Sequence, residues 1–362
     1  MPMSKLQRKL GMNNFKIGGI SIGLNNRPLI IAEMSGNHNQ SLDRALEIVN
    51  AAASTGAHAL KLQTYTADTM TLDVSDGDFF IDDENSLWKG KSLYELYKIA
   101  CTPWEWHEPI MKRANELGLL CFSTPFDDTA VDYLEDLNVP AYKIASFENT
   151  HLPLIKKVAS TGKPILVSTG MASTVEMSEM VQTIRDAGCE DIVLLKCTSA
   201  YPASPENSNV LTIPHMRELF FGCEVGLSDH TMGVGAAVAA VSHGATVIEK
   251  HFTLRRADGG VDSTFSLEPE EMKSLVIESE RAWQSLGKIK YGTSDVEKGS
   301  LTFRRSLYIA EDMKKGDVLM EKNLRIVRPG LGLPPKYYHT FLGLRVNRNV
   351  KKGTAVDWKI IG

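Results

Sequence analysis

No apolar run in this chain approaches the roughly 20 residues that a membrane-spanning helix requires. No secretory core follows the basic start, Met1 to Asn14, so a cytoplasmic protein is expected. An excess of one charge is lacking too. The 40 Lys and Arg against 44 Asp and Glu give a formal net charge of −4, which argues against nucleic acid or an anionic membrane surface as a partner. Five cysteines, Cys101, Cys121, Cys189, Cys197 and Cys223, are odd in number and form no CxxC pair, so reduced thiols in or near the core are expected. A dinucleotide-binding loop is also missing: the first strand runs into Glu33-Met-Ser-Gly-Asn-His-Asn39, and the Gly233-Val-Gly235 pair comes too late in the chain.

What the chain does have is a regular alternation. Eight short runs rich in β-branched and apolar residues stand at Leu29–Glu33, Ala59–Gln63, Leu119–Thr124, Ala141–Ser146, Ile165–Thr169, Ile192–Thr198, Glu224–Ser228 and Thr246–His251. Segments of helical period lie between them. In the first, Leu42, Ala45, Leu46, Val49, Ala52 and Ala53 share one face, with Ser41 placed to cap it. In the last, Pro269 takes a first-turn position, and Met272, Leu275, Val276, Trp283 and Leu286 form the face expected to be buried. Strands alternating with helices make parallel sheets covered by those helices. Eight repeats over about 260 residues match an α/β fold of the (β/α)₈ TIM-barrel type, whereas a doubly wound open sheet usually shows fewer strands.

Two regions break the alternation. Residues 73–91 are polar and acidic without a clear period, as in a lid or an oligomer contact. Near the end, Asp312-Met-Lys-Lys-Gly-Asp-Val-Leu319 is echoed by Asn349-Val-Lys-Lys-Gly-Thr-Ala-Val356, which points to a small β-rich domain with internal pseudo-symmetry. The expected plan is an extension or hairpin over 1–27, a barrel over 28–290, a linker over 291–299 and the small domain over 300–362.

In a barrel the reacting groups sit where the strands end. Those positions carry Glu33, Lys61, Gln63, Ser123, Thr124, Lys143, Ser146, Ser168, Thr169, Lys196, Thr198, Ser199, Ser228, His230, Glu249 and His251. Burying such groups unpaired in an apolar core would cost several kcal/mol each. The period of two along a strand puts Lys61 with Gln63, Ser228 with His230, and Glu249 with His251 on shared faces. Lys61 and Lys143, ringed by Thr124, Ser146, Ser168 and Ser228, form an anion cradle suited to a ligand with both a phosphate and a carboxylate. A single lysine at a strand end can simply be solvated; the joint pattern argues against that for the set. His230 and His251, from adjacent strands and beside Glu249, are candidate metal ligands, leaving positions for water and a substrate oxygen. Other signals are bland. Asn39-Gln-Ser41 matches a glycosylation sequon but opens a helix, Trp88 is expected to pack, and Cys197 shows no obvious His partner.

At these residues the chain resembles the sialic acid synthase family. The motifs are Ile31-Ala-Glu-Met-Ser-Gly-Asn-His-Asn39, Leu60-Lys-Leu-Gln-Thr64, Phe122-Ser-Thr-Pro-Phe126, Tyr142-Lys-Ile-Ala-Ser146, Ser168-Thr-Gly-Met171, Gly226-Leu-Ser-Asp-His230 and Ile248-Glu-Lys-His-Phe252. The tail, with Asn323-Leu-Arg-Ile-Val-Arg-Pro-Gly330, resembles that family's antifreeze-like (SAF) domain. The resemblance implies an enzyme that condenses phosphoenolpyruvate with an open-chain N-acetylated amino sugar. It implies that Lys61, Thr124, Lys143, Ser146, Ser168 and Ser228 hold phosphoenolpyruvate, and that Glu33 acts near the reacting centre. By the same resemblance, His230 and His251 bind Mn²⁺, with Mg²⁺ or Co²⁺ as alternatives, while Gln63, Ser199, Tyr201, Glu249 and Asp262 line the sugar site. Arg328 would reach the barrel of a second copy, which implies a domain-swapped homodimer.

Three departures from the sialic pattern resemble the pseudaminic acid branch of the family. They are the first-strand sequence, Leu62-Gln-Thr-Tyr-Thr-Ala-Asp-Thr-Met-Thr-Leu-Asp73, and Lys196-Cys-Thr-Ser-Ala-Tyr-Pro202. That branch implies 2,4-diacetamido-2,4,6-trideoxy-L-altrose as the sugar and a less polar pocket to take it. Legionaminic and N-acetylneuraminic acid synthases share the chemistry. A Schiff-base aldolase using Lys143 or Lys61, and a non-catalytic binding protein, are the readings from other classes.

Overall fold

The computed structural model describes residues 15–84 and 86–361; the part of the expected N-terminal extension before residue 15 lies outside them. The chain divides into two units, Met1–Gly287 and Lys288–Gly362.

In the first unit, β1 (Phe15–Ile17) and β2 (Ile20–Ile22) form an antiparallel hairpin. Its two-residue turn is Gly18-Gly19, both at positive φ, as a turn matching the right-handed strand twist requires. Eight strands follow: β3 (Leu29–Glu33), β4 (Ala59–Thr64), β5 (Leu120–Pro125), β6 (Tyr142–Ile144), β7 (Ile165–Ser168), β8 (Ile192–Cys197), β9 (Glu224–Asp229) and β10 (Val247–His251). They are parallel and close into a barrel in chain order, β10 pairing with β3. Every residue of β3, β6, β7 and β9 is buried, because side chains fill the barrel on one face and meet helices on the other. That is why these runs read as continuous apolar stretches rather than alternating ones.

The helices form for the reasons their sequences suggest. Ser41 accepts a hydrogen bond from the Arg44 N–H at the start of Leu42–Ser54, whose Ala45, Ile48, Val49 and Ala52 are buried. Pro269 opens Pro269–Ser285, which buries Met272 and Leu275, each worth about 1.5–3 kcal/mol. Leu286 departs from expectation. It follows the last helical residue and is exposed, because the chain leaves the barrel there.

The second unit has its own core, including Leu307, Ile309, Leu324, Phe341 and Val356. Strands β11 (Ser306–Ile309) and β12 (Leu324–Val327) pair antiparallel within it. The two Lys-Lys-Gly turns meet reciprocally. The Lys315 N–H donates to Asn349 Oδ1 and the Lys352 N–H to Asp312 Oδ1, both at 2.9 Å. Each turn is thus capped by the polar residue that opens the other. Among the described residues, no helix is long and apolar enough to cross a membrane.

Candidate active site

Strand register brings the expected residues to one end of the barrel. Glu33 pairs in register with Lys61 on one side and His251 on the other, and Glu249 with Ser228. Lys61, Gln63, Lys143, Ser146, Ser168, Tyr201, Ser228, His230, Glu249, His251 and Asp262 all line one cavity of about 300 Å³. Glu33 and Thr124 lie just beneath its surface, touching Lys61. Ser199 is outside the lining: its buried hydroxyl occupies the space beside Gly170 where a Cβ would collide. Arg328 belongs to the second unit, exposed just after β12.

The period of two separates inward from outward groups on the same strand. Glu249 and Ser228 face the cavity and share a 3.1 Å hydrogen bond. The next residues, Lys250 and Asp229, point to the opposite face, where they form a buried 2.9 Å ion pair. Ser123 and Thr64 also face outward; their hydroxyls lie 2.6 Å apart, and Thr64 meets His107 Nε2 at 2.8 Å.

The charged floor is neutralised from within. Lys61 Nζ is 2.6 Å from Glu33 Oε2 and 3.9 Å from Glu249 Oε2, and donates to Thr124 Oγ1 at 3.1 Å. Lys143 Nζ donates to Ser168 Oγ at 2.6 Å and lies 3.6 Å from Glu249 Oε1. Gln63 donates to Glu33 Oε1 at 3.1 Å. Burial pushes Glu33 up to about 7 despite the nearby Lys61 ammonium. For Glu249 burial works in the same direction, but Lys143 and Lys61 outweigh it and hold the carboxyl below its ordinary range. Burial also opposes the charge on both lysines. Glu249 and Glu33 overcome it for Lys61, which ends above its ordinary value, whereas Lys143 ends below.

The imidazoles of His230 and His251 sit with ring centroids 5.4 Å apart. His230 Nδ1 is 3.0 Å from the Thr198 carbonyl oxygen, which leaves its Nε2 for the cavity. His251 Nδ1 is buried without a hydrogen-bond partner, 3.7 Å from Asp262 Oδ2. Among the described residues no group of three His, Cys, Asp or Glu side chains is arranged to hold a metal. The orphaned His251 nitrogen and the free His230 nitrogen fit an ion held by two protein ligands, with its other positions left to water or substrate.

Three features escaped the sequence reading. Cys197 does have a histidine neighbour: its Sγ lies 3.9 Å from His230 Nδ1 and lines the cavity. The pair is 33 residues apart, and only the adjacency of β8 and β9 brings it together. Burial would raise that thiol, but His230, with Ser146 and Lys143, more than compensates and brings it down to about 7. Glu148, in the short turn after β6, also lines the cavity; burial raises it to about 7, and its Oε2 is buried without a hydrogen-bond partner. It stands two residues past the Tyr142-Lys-Ile-Ala-Ser146 motif, outside the strand where strand-end reasoning looks. Trp88, expected to pack, does so against Tyr201 with centroids 6.2 Å apart, and it also lines the cavity, together with Ile81 from the same insert.

Residues 48–291 match the NeuB family and residues 304–361 the SAF domain. The chain is 42% identical to pseudaminic acid synthase of Campylobacter jejuni over 327 residues, covering 90% of this chain and 94% of that protein. It is 36% identical to N,N'-diacetyllegionaminic acid synthase of Legionella pneumophila, covering 96% and 99%. Among solved structures, N-acetylneuraminic acid synthetase of Leptospira borgpetersenii, in complex with citrate, superposes with a TM-score of 0.70 at 30% identity, covering 80% of this chain and 95% of that one.

Proposed function

The chain belongs to the NeuB family, and from that premise we propose that it condenses phosphoenolpyruvate with 2,4-diacetamido-2,4,6-trideoxy-L-altrose and water, giving pseudaminic acid and phosphate. The observation that carries this reading is the buried floor, where Lys61 and Lys143 are held among hydroxyls beside two imidazoles. Phosphoenolpyruvate carries a carboxylate and a phosphate. Lys61 and Lys143 meet it as fixed charges, and Ser146, Ser168 and Ser228 as directional hydroxyl donors, while Thr124 acts from beneath by holding Lys61. The arriving anion competes with Glu33 and Glu249 for the two ammonium groups.

In the reaction, C3 of the enol attacks the open-chain aldehyde carbon, whose oxygen becomes a hydroxyl. Positive charge develops at C2, and water adds there. The C–O bond to phosphate then breaks, leaving the ketone and free phosphate. Glu33 positions that water and sets its carboxylate against the developing charge, while the lysines favour departure of the phosphate. Gln63, Tyr201, Glu249 and Asp262 hold the sugar. A divalent ion on His230 and His251, Mn²⁺ first with Mg²⁺ or Co²⁺ as alternatives, would supply Lewis acidity to the aldehyde oxygen. The reading makes this a cytoplasmic transferase.

The test is phosphate release from phosphoenolpyruvate with a panel of sugars, run after chelation and with each metal restored. The trideoxy altrose should give the highest kcat/KM, and chelation should abolish turnover. A preference for N-acetylmannosamine would reject the pseudaminic assignment. Preference for the diacetamido mannose isomer would favour the legionaminic reading, which the 36% relative keeps in play. Borohydride trapping of a pyruvate adduct, with no metal requirement, would favour a Schiff-base aldolase.

A shared site belongs to the same proposal: Arg328, exposed after β12, contacts the sugar in the barrel of a second copy. Mixing Arg328→Ala chains with Glu33→Gln chains should restore about a quarter to a half of wild-type activity if one site of a dimer is rebuilt whole. No rescue in verified mixed dimers rejects the sharing.

A further inference from the structure

Between β4 and the next barrel helix, His107–Glu116, the chain makes one long excursion, residues 65–106. Its sequence is rich in acidic residues, and those are outside: Asp73, Asp76, Asp78, Asp82 and Glu84 are exposed. What it turns inward is apolar. Met70, Ile81, Trp88, Leu93, Leu96 and Tyr97 line the same cavity as the charged groups. The wall is fastened at several points. The Trp88 indole N–H donates to the Val261 carbonyl at 3.0 Å, and Tyr65 packs edge-on against both Tyr97 and Phe126, with centroids 5.9 and 5.1 Å away. The excursion therefore contributes shape and apolar surface, and its inward side chains bring no charge.

We infer that this wall selects the sugar by its C6 methyl group. The inference rests on the reading of the floor as the condensation site. If the aldehyde carbon is held at the Lys61, His230 and His251 end, the far end of the open chain is the part left to meet a surface of another chemistry. A methyl gains by leaving water against Ile81, Leu93 and Leu96. A 6-hydroxyl placed there loses its water and finds no side-chain partner among those three residues. An apolar pocket rejects such an added hydroxyl by about 10²-fold, so a preference of that order is expected and not an absolute one.

The matched pair is 2,4-diacetamido-2,4,6-trideoxy-L-altrose and its counterpart bearing the 6-hydroxyl. Wild-type kcat/KM should favour the 6-deoxy sugar by about 10²-fold. Leu93→Asn and Ile81→Asn, at half-buried positions, should each cut that ratio by about tenfold while KM for phosphoenolpyruvate stays at the wild-type value. Equal wild-type kcat/KM for the two sugars overturns the inference without a variant being made. An unchanged ratio in both variants, each with wild-type KM for phosphoenolpyruvate, also overturns it. Turnover of neither sugar by the wild type, with N-acetylmannosamine accepted, sinks the assignment on which the inference rests. That outcome is distinct from failure of the wall alone, in which the 6-deoxy sugar is still turned over.

Discussion

The floor of the cavity is drawn from the ends of eight strands, whereas the wall over it is largely one excursion between β4 and β5. The charged side holds Lys61, Lys143, the four carboxyl groups of Glu33, Glu148, Glu249 and Asp262, and two imidazoles in a space where burial makes each sensitive to its neighbours' charge. The wall holds almost none and depends on area removed from water. Rigid strands fix the groups of the floor by register, so their geometry is set by the hydrogen-bonded sheet. The wall is set by side-chain packing, by the Trp88 hydrogen bond and by capping boxes at Thr66 and Ser92. A fold of this kind keeps its chemistry on the scaffold and changes its substrate through the loop.

The sharpest way to break the comparison is to remove one floor charge. Lys143→Met leaves Glu249 with one ammonium partner fewer and Ser168 without its 2.6 Å donor. Truncating one partner of a buried charge pair costs about 2–5 kcal/mol, so kcat/KM for phosphoenolpyruvate should fall by about 30- to 5,000-fold. The control lies on the other face of the same barrel. Lys250→Met breaks an equally buried pair with Asp229 and should destabilise the fold by about 3–5 kcal/mol, read by denaturant titration, with KM for phosphoenolpyruvate unchanged. If Lys143→Met cost only what the wall substitutions cost, the contrast between charged floor and apolar wall would collapse.

The same contrast explains what the sequence made legible. All eight strands could be located to within one or two residues at most ends, because a parallel strand buried on both faces is a short apolar run bounded by turns. The period of two then gave the inward partners Lys61 with Gln63 and Glu249 with His251 without knowledge of any contact. The wall carries no such period. Ile81, Trp88 and Leu93 face inward because of how an irregular segment folds back, and acidic residues between them mask the apolar ones. Cys197 and His230 were missed as a pair for a related reason: adjacent strands bring them together across 33 residues, at a distance no spacing rule encodes. The reciprocal turns of the second unit were readable because the repeat itself is the interaction.

The subtler effect concerns protons on the floor. Glu33 is pushed up to about 7 because burial favours its neutral form, with Lys61 opposing. If its carboxylate is needed, kcat/KM should hold steady above pH 7 and fall about tenfold for each pH unit below it, and Glu33→Gln should remove that limb along with most of the activity. Glu148 lines the same cavity and is also raised to about 7, so the limb alone does not say which carboxyl is responsible. If Glu148→Gln flattened the limb and the residual activity of Glu33→Gln kept it, Glu33 would be the wrong group. Folding supplies an independent reading. Glu33 titrates at its ordinary 4.5 in the unfolded chain and near 7 in the fold, so between those values the folded protein keeps a proton that the unfolded chain has lost. Its contribution therefore makes stability fall as pH rises through that window; Glu148, raised to the same value, adds to the slope, so Glu33→Gln should remove part of it and Glu33→Gln combined with Glu148→Gln more of it. A wall substitution such as Leu93→Asn adds no ionisable group and should leave both the limb and the slope where they are.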